Sequence, residues 1–373
     1  MASGFTFPQS VVFSSQFKRI DITSDASSVR LVLSLVGGVT LMDEVFFPFD
    51  GEVSVYEIDS LIESAFESMD MSFGRVTIAL HDGTGSSTMN VYVIYCKRVP
   101  LGVVEAFDTP RWLRENFLTF ATYRRIPWYV PVSAHAFVES GEDLSWRVQV
   151  KGFVKDSGEP FAVDYSVLQG EAPSRQIAKF SPSLSSVMSL CASRLSTVAS
   201  NIIVSSVGIS LGQRFICFYL DEGLQGNDVF FFRSAFNLPD FISMPGQVVA
   251  DTTPSAASAF ILGSTVQYDR KVEKSFSVTW PSVTPDDAFF IEDFLCSHYI
   301  ERFITDFPFM PDVDLQSRPS SRIVISSAKV KVSAFDELSS VEFSYRFSQG
   351  GIVDPGLSFS LRFFDGNYNR SFS

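Results

Sequence analysis

At 373 residues the chain is about two and a half times a common single domain, so two or three domains are expected, each long enough to bury its own core. Its 29 basic residues stand against 42 acidic ones, a net charge of −13, which argues against a phosphate-backbone partner because such partners need clustered Lys and Arg. Only 19% of residues are charged and 46% are hydrophobic, a composition too apolar for a disordered chain and suited to folding and assembly.

Phe accounts for 38 residues and Ser is abundant. Phe favours strands, while Ser suits turns and solvent faces and makes poor helix interiors, so β structure is expected. Val29 to Val36, Gly37-Gly38, then Val39 to Met42 read as a hairpin whose turn uses the φ freedom of glycine. Phe46 and Phe47 extend this region, and after Pro48-Phe49-Asp50-Gly51 the run Glu52 to Ile58 alternates with period two. Ser60-x-x-Glu63 has capping-box spacing, and Leu61, Ile62, Ala65, Phe66 and Met69 recur at helical steps. The spacing predicts a helix over Ser60 to Met69 that lies on a sheet with Phe66 buried. Strands Arg75 to Leu80 and Met89 to Cys96 flank the polar loop His81 to Ser87, closing a first unit at residues 1–98.

Thr109-Pro110 suits the cap and first position of a short helix through Phe117. Strands are expected at Leu118 to Arg124, Trp128 to Val132, Ala134 to Glu139, Trp146 to Val154 and Phe161 to Val167, a turn spacing that suits a sandwich or barrel. In residues 181–200, Val187, Leu190, Cys191, Leu195 and Val198 suit a helix but the Ser-rich composition suits strands, and both readings stay open; strands resume from Asn201. Arg214 to Leu220 and Val229 to Phe232 read as a hairpin about the loop Asp221 to Asp228. Pro, Gly and small polar residues between Pro239 and Pro254 mark a boundary, giving a central β unit over 99–238 and a C-terminal one over 239–373. The last unit holds strands at Ser264 to Tyr268 and Lys274 to Trp280, then a helix over Pro285 to Ser297. Thr284-Pro285-Asp286-Asp287 caps it, and Phe290, Ile291, Phe294 and Leu295 form its apolar face, with Phe294 buried. Strands Arg322 to Ile325, Ala328 to Ala334, Ser339 to Phe347 and Leu357 to Phe363 follow. The fold class is therefore mainly β: tandem β-sandwich-like domains, each with few short helices.

The residues that carry chemistry are few. Cys96, Cys191, Cys217 and Cys296 lie far apart in apolar contexts, with no C-x-x-C pair, and read as reduced core residues. His81-Asp82 falls in a hairpin loop, His135 is isolated, and the i, i+2 spacing of Cys296 and His298 at a helix end does not bring a base onto a nucleophile. A glycoside hydrolase needs two acids across a cleft. Here Asp286/Asp287 suit a first helical turn, Glu292/Asp293 a solvated helix face and Asp312/Asp314 a Pro-rich loop. The loop 221–228 offers oxygen ligands without the calcium-loop pattern, and no phosphate-cradling Gly loop, nucleophile elbow or H-E-x-x-H occurs. No catalytic residue, metal or cofactor is expected. Asn201 to Leu220 is interrupted by Ser205, Ser206, Ser210, Gln213 and Arg214, so no membrane insertion is expected, and Met1 to Pro8 lacks the basic and apolar regions of an export signal. One tract interleaves cations with aromatics: Arg111, Trp112, Arg114, Tyr123, Arg124, Arg125, Trp128 and Tyr129. Such a tract stacks sugars or grips an acidic partner, unless it is only a strand pair with rim arginines.

The order Asp221-x6-Asp228-Val229-Phe230-Phe231-Phe232-Arg233-Ser234-Ala235-Phe236-Asn237-Leu238-Pro239-Asp240, then Trp280-Pro281 and the helix from Asp286 to Ser297, resembles uncharacterised tail-region virion structural proteins of tailed bacteriophages and prophages. The run Phe46-Phe47-Pro48-x-Asp50-Gly51-Glu52-Val53-Ser54-Val55 before a short helix is similar to β-domains of the same proteins. The resemblance implies a non-enzymatic structural role in a phage-like particle, as a tail, baseplate or adaptor component made in the host cytoplasm and located in the virion. Its partners would be other virion proteins and copies of itself in a symmetric homo-oligomer. The alternative is a receptor- or glycan-binding module of a phage or cell surface, whose partner is a host-surface glycan held by the Arg and aromatic tract.

Overall fold

The computed structural model describes residues 10–83, 85–97, 107–221, 228–244, 247–261, 264–303, 320–331 and 339–348. The fold is mainly β, built as tandem sandwich-like units in which each of the three large sheets is covered on one face by a short helix.

The first unit runs β1 (Val11–Phe13), β2 (Arg19–Thr23), β3 (Val29–Leu35), β4 (Val39–Phe46), β5 (Glu52–Tyr56), α1 (Ile58–Ser68), β6 (Phe73–His81) and β7 (Ser86–Ile94). Its five-stranded sheet has the order β1-β7-β6-β3-β4, with β1 parallel to β7 and the remaining pairs antiparallel. Alternation turns Leu31, Leu33, Val76, Ile78, Leu80, Val91 and Val93 to one face. A β2-β5 ribbon and α1 cover that face with Ile20, Ile22, Val55, Ile58, Ile62 and Phe66. The expected β3-β4 hairpin turns through Gly37 and Gly38 at φ 110° and 88°. The start of α1 differs from expectation. Ser60 lies inside the helix, whose first residue is Ile58 and whose cap, Glu57, makes no side-chain capping bond. Burial of Ile58 sets this start, so the buried face is Ile58, Ile62 and Phe66 while Leu61 and Met69 stay exposed.

The central unit runs α2 (Thr109–Glu115), β8 (Tyr123–Ile126), β9 (Ala134–Val138), β10 (Asp143–Val154), β11 (Pro160–Glu171), β12 (Gln176–Phe180), α3 (Leu184–Arg194), β13 (Ile202–Leu211) and β14 (Arg214–Leu220). Its sheet order is β11-β10-β13-β14-β8, and a β9-β12 ribbon and α3 pack on the inner face. Trp146 is fully buried there, stacked on Phe180 at 5.1 Å and on Phe117 at 6.0 Å, with its indole N–H donating to Gln169 Oε1 at 3.0 Å. The ambiguity over 181–200 resolves as α3. Ser183 caps it, accepting from Ser186 N at 3.2 Å, and Val187, Cys191 and Ala192 face inward. The expected strand Trp128 to Val132 is a turn, in which Val130 N donates to Pro127 O, because Pro127 and Pro131 break any ladder.

The last unit runs β15 (Val229–Arg233), β16 (Pro239–Ser243), β17 (Gln247–Ile261), β18 (Ser264–Val283), α4 (Pro285–Leu295), β19 (Ile300–Phe303), β20 (Ser320–Lys331) and β21 (Ser339–Phe347), in the order β16-β15-β19-β20-β21-β18-β17. Thr284 caps α4 as expected, accepting from Asp287 N at 3.2 Å, and Phe290, Ile291 and Phe294 pack on the sheet. The expected hairpin of 214–220 with 229–232 does not form. Both edges of β14 are taken by β13 and β8, while β15 pairs with β16 and β19. The chain thus leaves the central sheet between Leu220 and Val229, and a division at 238/239 falls between two paired strands. The pairs of short strands expected at 264–280 and at 322–334 are single strands, β18 and β20, and the expected strand at 357–363 lies outside the described residues. A further core joins all three units: Val11, Phe13, Ile94 and Cys96 meet Leu113, Leu118 and Phe137, and Phe236 and Leu238.

Candidate functional site

The Arg and aromatic tract does not form one surface. Asp108 caps α2, accepting from Arg111 N at 3.0 Å, so Thr109 and Pro110 are its first two residues and it ends before Phe117. Helical spacing then separates Trp112 from its basic neighbours. Trp112 stacks on Phe236 at 5.7 Å and meets Phe13 edge-on at 5.5 Å within the three-unit junction. Arg111, paired with Glu115 at 3.1 Å, and Arg114 point to solvent. In β8 the strand period divides the tract again, with Tyr123 and Arg125 outward and Arg124 inward. Arg124 is 5% exposed, holds Asp240 at 2.6 Å, donates to Phe241 O at 2.6 Å and lies 4.2 Å over the Phe290 ring. It ties β8 to the C-terminal unit and, with Arg125, Trp280, Asp287 and Phe290, lines a cavity between them. Trp128 and Tyr129 pack edge to face at 6.2 Å, half-buried in the turn after β8, and Arg125 pairs with Asp221.

The remaining chemistry-bearing residues do not converge either. His81 lies at the β6-β7 turn, where Asp82 Oδ1 accepts from Gly85 N at 2.7 Å. Burial, with Lys179 and Arg124 nearby, pushes the His135 pKa down to about 4. Cys96, Cys191 and Cys217 are buried thiols, and burial pushes the latter two up, away from reactivity. Cys296, expected in the core, is exposed, because α4 ends at Leu295. Asp293, expected on a solvated face, is buried because it sits beside Phe294 on the face turned to the sheet. Asp312 and Asp314 lie outside the described residues. Among the described residues no three His, Cys, Asp or Glu side chains gather as a metal ion requires, and no helix is long and apolar enough to cross a membrane.

Tertiary structure adds two features the sequence did not announce. The first is a polar seam between the first and last units. Glu67 accepts from Tyr95 Oη at 2.5 Å and pairs with Lys97 at 2.6 Å, with His298 4.0 Å away. Burial raises its carboxyl, but the bonds from Lys97 and Tyr95 outweigh that and hold it below its ordinary range. Burial raises neighbouring Glu63, which accepts from Ser14 Oγ at 2.8 Å. Asp70 pairs with Arg233 at 2.6 Å, Ser72 Oγ donates to Asn237 O at 2.9 Å, and Asn237 Nδ2 donates to Met71 O at 2.9 Å. The Asp70, Ser72 and Asn237 bonds dock the two units, while those of Glu67 and Glu63 to Tyr95, Lys97 and Ser14 lie within the first.

The second feature is a projecting ribbon. The β18-β21 ladder covers only Phe276 to Val283, whereas β17 and β18 stay paired out to Ile261 and Ser264. Among the described residues, 251–261 and 264–275 pair only with each other, as a two-stranded arm about 40 Å long at roughly 3.4 Å per residue. Strand propensity in 264–268 and 274–280 was its sequence signal, but the polar run between them hid its continuity.

No family model matches this chain, and no curated protein matches it. Among solved structures the chain is similar to the crystal structure of the calcium-binding domain CBD12 of CALX1.1, at 10% identity over 56% of this chain and 79% of that one, with a TM-score of 0.18. A likeness at that level carries no argument about this chain.

Proposed function

We propose that this chain is a non-enzymatic structural component of a phage-like particle, a tail, baseplate or adaptor protein that assembles as a symmetric oligomer. The projecting β17-β18 ribbon carries the reading. An isolated two-stranded ribbon is marginal in water, and among the described residues neither of its edges is paired, so a long one is stabilised when a neighbouring subunit pairs with or covers it. Its other support is the structural use of the polar side chains: Arg124 and Asn237 tie units together, while Arg214 and Glu67 are held in ion pairs within theirs. The particle assignment rests on the resemblance to tail-region virion proteins.

With a net charge of −13, copies repel at long range, so contacts between them must be apolar or backbone-paired to hold. Raising salt from 0.1 M to 1 M shortens the Debye length from about 10 Å to about 3 Å, which weakens the repulsion and leaves such contacts intact. Sedimentation of the full chain is expected to show an oligomer that persists in 1 M NaCl. A variant with residues 254–272 replaced by a short Gly-Ser turn is expected to sediment as a folded monomer. A wild type that is monomeric at every concentration, or a trimmed variant that assembles equally well, overturns the reading.

A further inference from the structure

The outer face of the central sheet is ordered into cross-strand rows by the pairing of β10, β13, β14 and β8. One row is Arg147, Ser210 and Phe215; the next is Gln149, Gly208, Cys217 and Tyr123; the third is Lys151, Ser206, Tyr219 and Arg125. Across the strands, two basic residues on β10 therefore face three aromatic rings on β14 and β8, over a floor of Ser and Gly on β13. At about 4.8 Å per strand, β10 and β14 lie about 10 Å apart. Gly208 keeps the floor low. A Cβ there would stand 3.2 Å from Phe215 Cε2, so its absence lets the Phe215 ring lie across β13. Tyr123 and Tyr219 stack at 6.3 Å and 25°, and Phe215 meets Tyr123 at 6.2 Å and 67°.

These rings are 48%, 46% and 38% exposed for Tyr123, Tyr219 and Phe215. The opposite face of the same strands is the core, with Trp146, Val148, Ile209, Ile216 and Phe218 buried, so the outer rings add little to it. Contiguous exposed aromatic surface marks a binding face. Charge narrows the occupant. Arg147 and Lys151 are exposed and form no ion pair among the described residues, so the basic wall suits an anionic occupant. Arg125 is already paired with Asp221, and Asp164 stands beyond Gln149 on β11, outside the trough. Three strand spacings by three rows make a footprint of about 14 by 13 Å, room for two or three sugar rings. The exposed face continues past the third row through Phe153 and Ile203, so a second copy of the chain is an outcome the test must separate.

We propose that this shelf binds a linear anionic polysaccharide of uronic acids. The apolar C–H faces of two or three sugar rings cover Tyr123, Phe215 and Tyr219, and their carboxylates meet Arg147 and Lys151 in charge-assisted hydrogen bonds. The surface shares only Tyr123 and Arg125 with the tract at 111–129 and stands independently of the assembly reading.

Affinity electrophoresis and titration calorimetry of the full chain with polygalacturonate and alginate, and with amylose as a neutral probe, test the proposal. Expected results are retardation by both acidic polymers and at least tenfold weaker binding of amylose. Tyr219→Ala should weaken acidic-polymer binding at least tenfold with an unchanged circular dichroism spectrum, as should Arg147→Gln combined with Lys151→Gln, which also flattens the salt dependence. Absence of binding to both acidic polymers, binding unchanged by Tyr219→Ala, or amylose bound equally well overturns the proposal. Loss of self-association in Tyr219→Ala without any polysaccharide binding also overturns it, and makes the shelf an assembly contact.

Discussion

Replacing Phe294 by Ala tests how the C-terminal unit is held. The ring is fully buried at 5.3 Å from Phe230, 5.5 Å from Phe232 and 5.7 Å from Phe343, so it is the point at which α4 grips β15 and β21. A buried Phe removes about 200 Å² from water, about 5 kcal/mol at 25 cal/mol per Å². The alanine methyl retains part of that and the cavity adds a cost, which places the net loss at about 3–5 kcal/mol. Phe289, one turn position from Phe290 and 54% exposed, provides the control. At either site alanine gains up to about 0.7 kcal/mol of helix propensity, so Phe289→Ala should be neutral or slightly stabilising. Because the chain has several cores, a single unfolding free energy is not well defined for it. The assay is native-state hydrogen exchange of the β15, β21 and α4 amides, alongside urea unfolding. Opening of these elements should become easier by about 3–5 kcal/mol in Phe294→Ala, with the first unit's sheet unaffected. A change below about 1 kcal/mol, or one no larger than for Phe289→Ala, refutes the assignment of Phe294 as the anchor of α4.

Three further outcomes follow from specific geometry. Gly152→Ala sets a Cβ 2.0 Å from Ile203 O at the β10-β13 bulge and should destabilise by about 3 kcal/mol or more in urea unfolding, whereas Gly158→Ala, strained only by its φ of 68°, should cost about 1–2 kcal/mol. Arg214→Met removes a buried fork that donates to Leu113 O at 2.7 Å, Phe137 O at 2.8 Å and Glu142 Oε1 at 2.6 Å; leaving those acceptors unpaired should cost about 3–5 kcal/mol and lower Tm. His135 titrates near 4 when folded and near 6.5 when unfolded, so below pH 6.5 the unfolded chain takes up the proton first. Stability should therefore fall as pH drops from about 6.5 to about 4, by up to about 3 kcal/mol, then level off, and the difference between wild type and His135→Gln in urea midpoints across that range should isolate this share.

What the sequence determined by itself was local. Alternation at Leu31, Leu33 and Leu35, the Gly37-Gly38 turn and the Thr284 to Asp287 cap act over a few residues, and they are legible because strand period, glycine φ and capping bonds need no distant partner. The burial of Phe66 and Phe294 was legible for the same reason, as each lies on the apolar face of a short helix. Helix boundaries were not: Ile58 draws the start of α1 ahead of its apparent capping box because core packing outweighs a cap of about 1 kcal/mol. Only tertiary structure decided which strands pair. Neighbouring β14 and β15 separate into different sheets, and the two expected runs at 264–268 and 274–280 merge into β18, because pairing depends on free edges and on which side of each strand finds a core. The same physics dispersed the Arg and aromatic tract. A strand period of two sends Arg124 inward to Asp240 and Tyr123 outward, and helical spacing turns Trp112 into the junction. Cross-strand register then sets Tyr123 beside Phe215 and Tyr219, about 90 residues further along, and no spacing along one chain records such a neighbour.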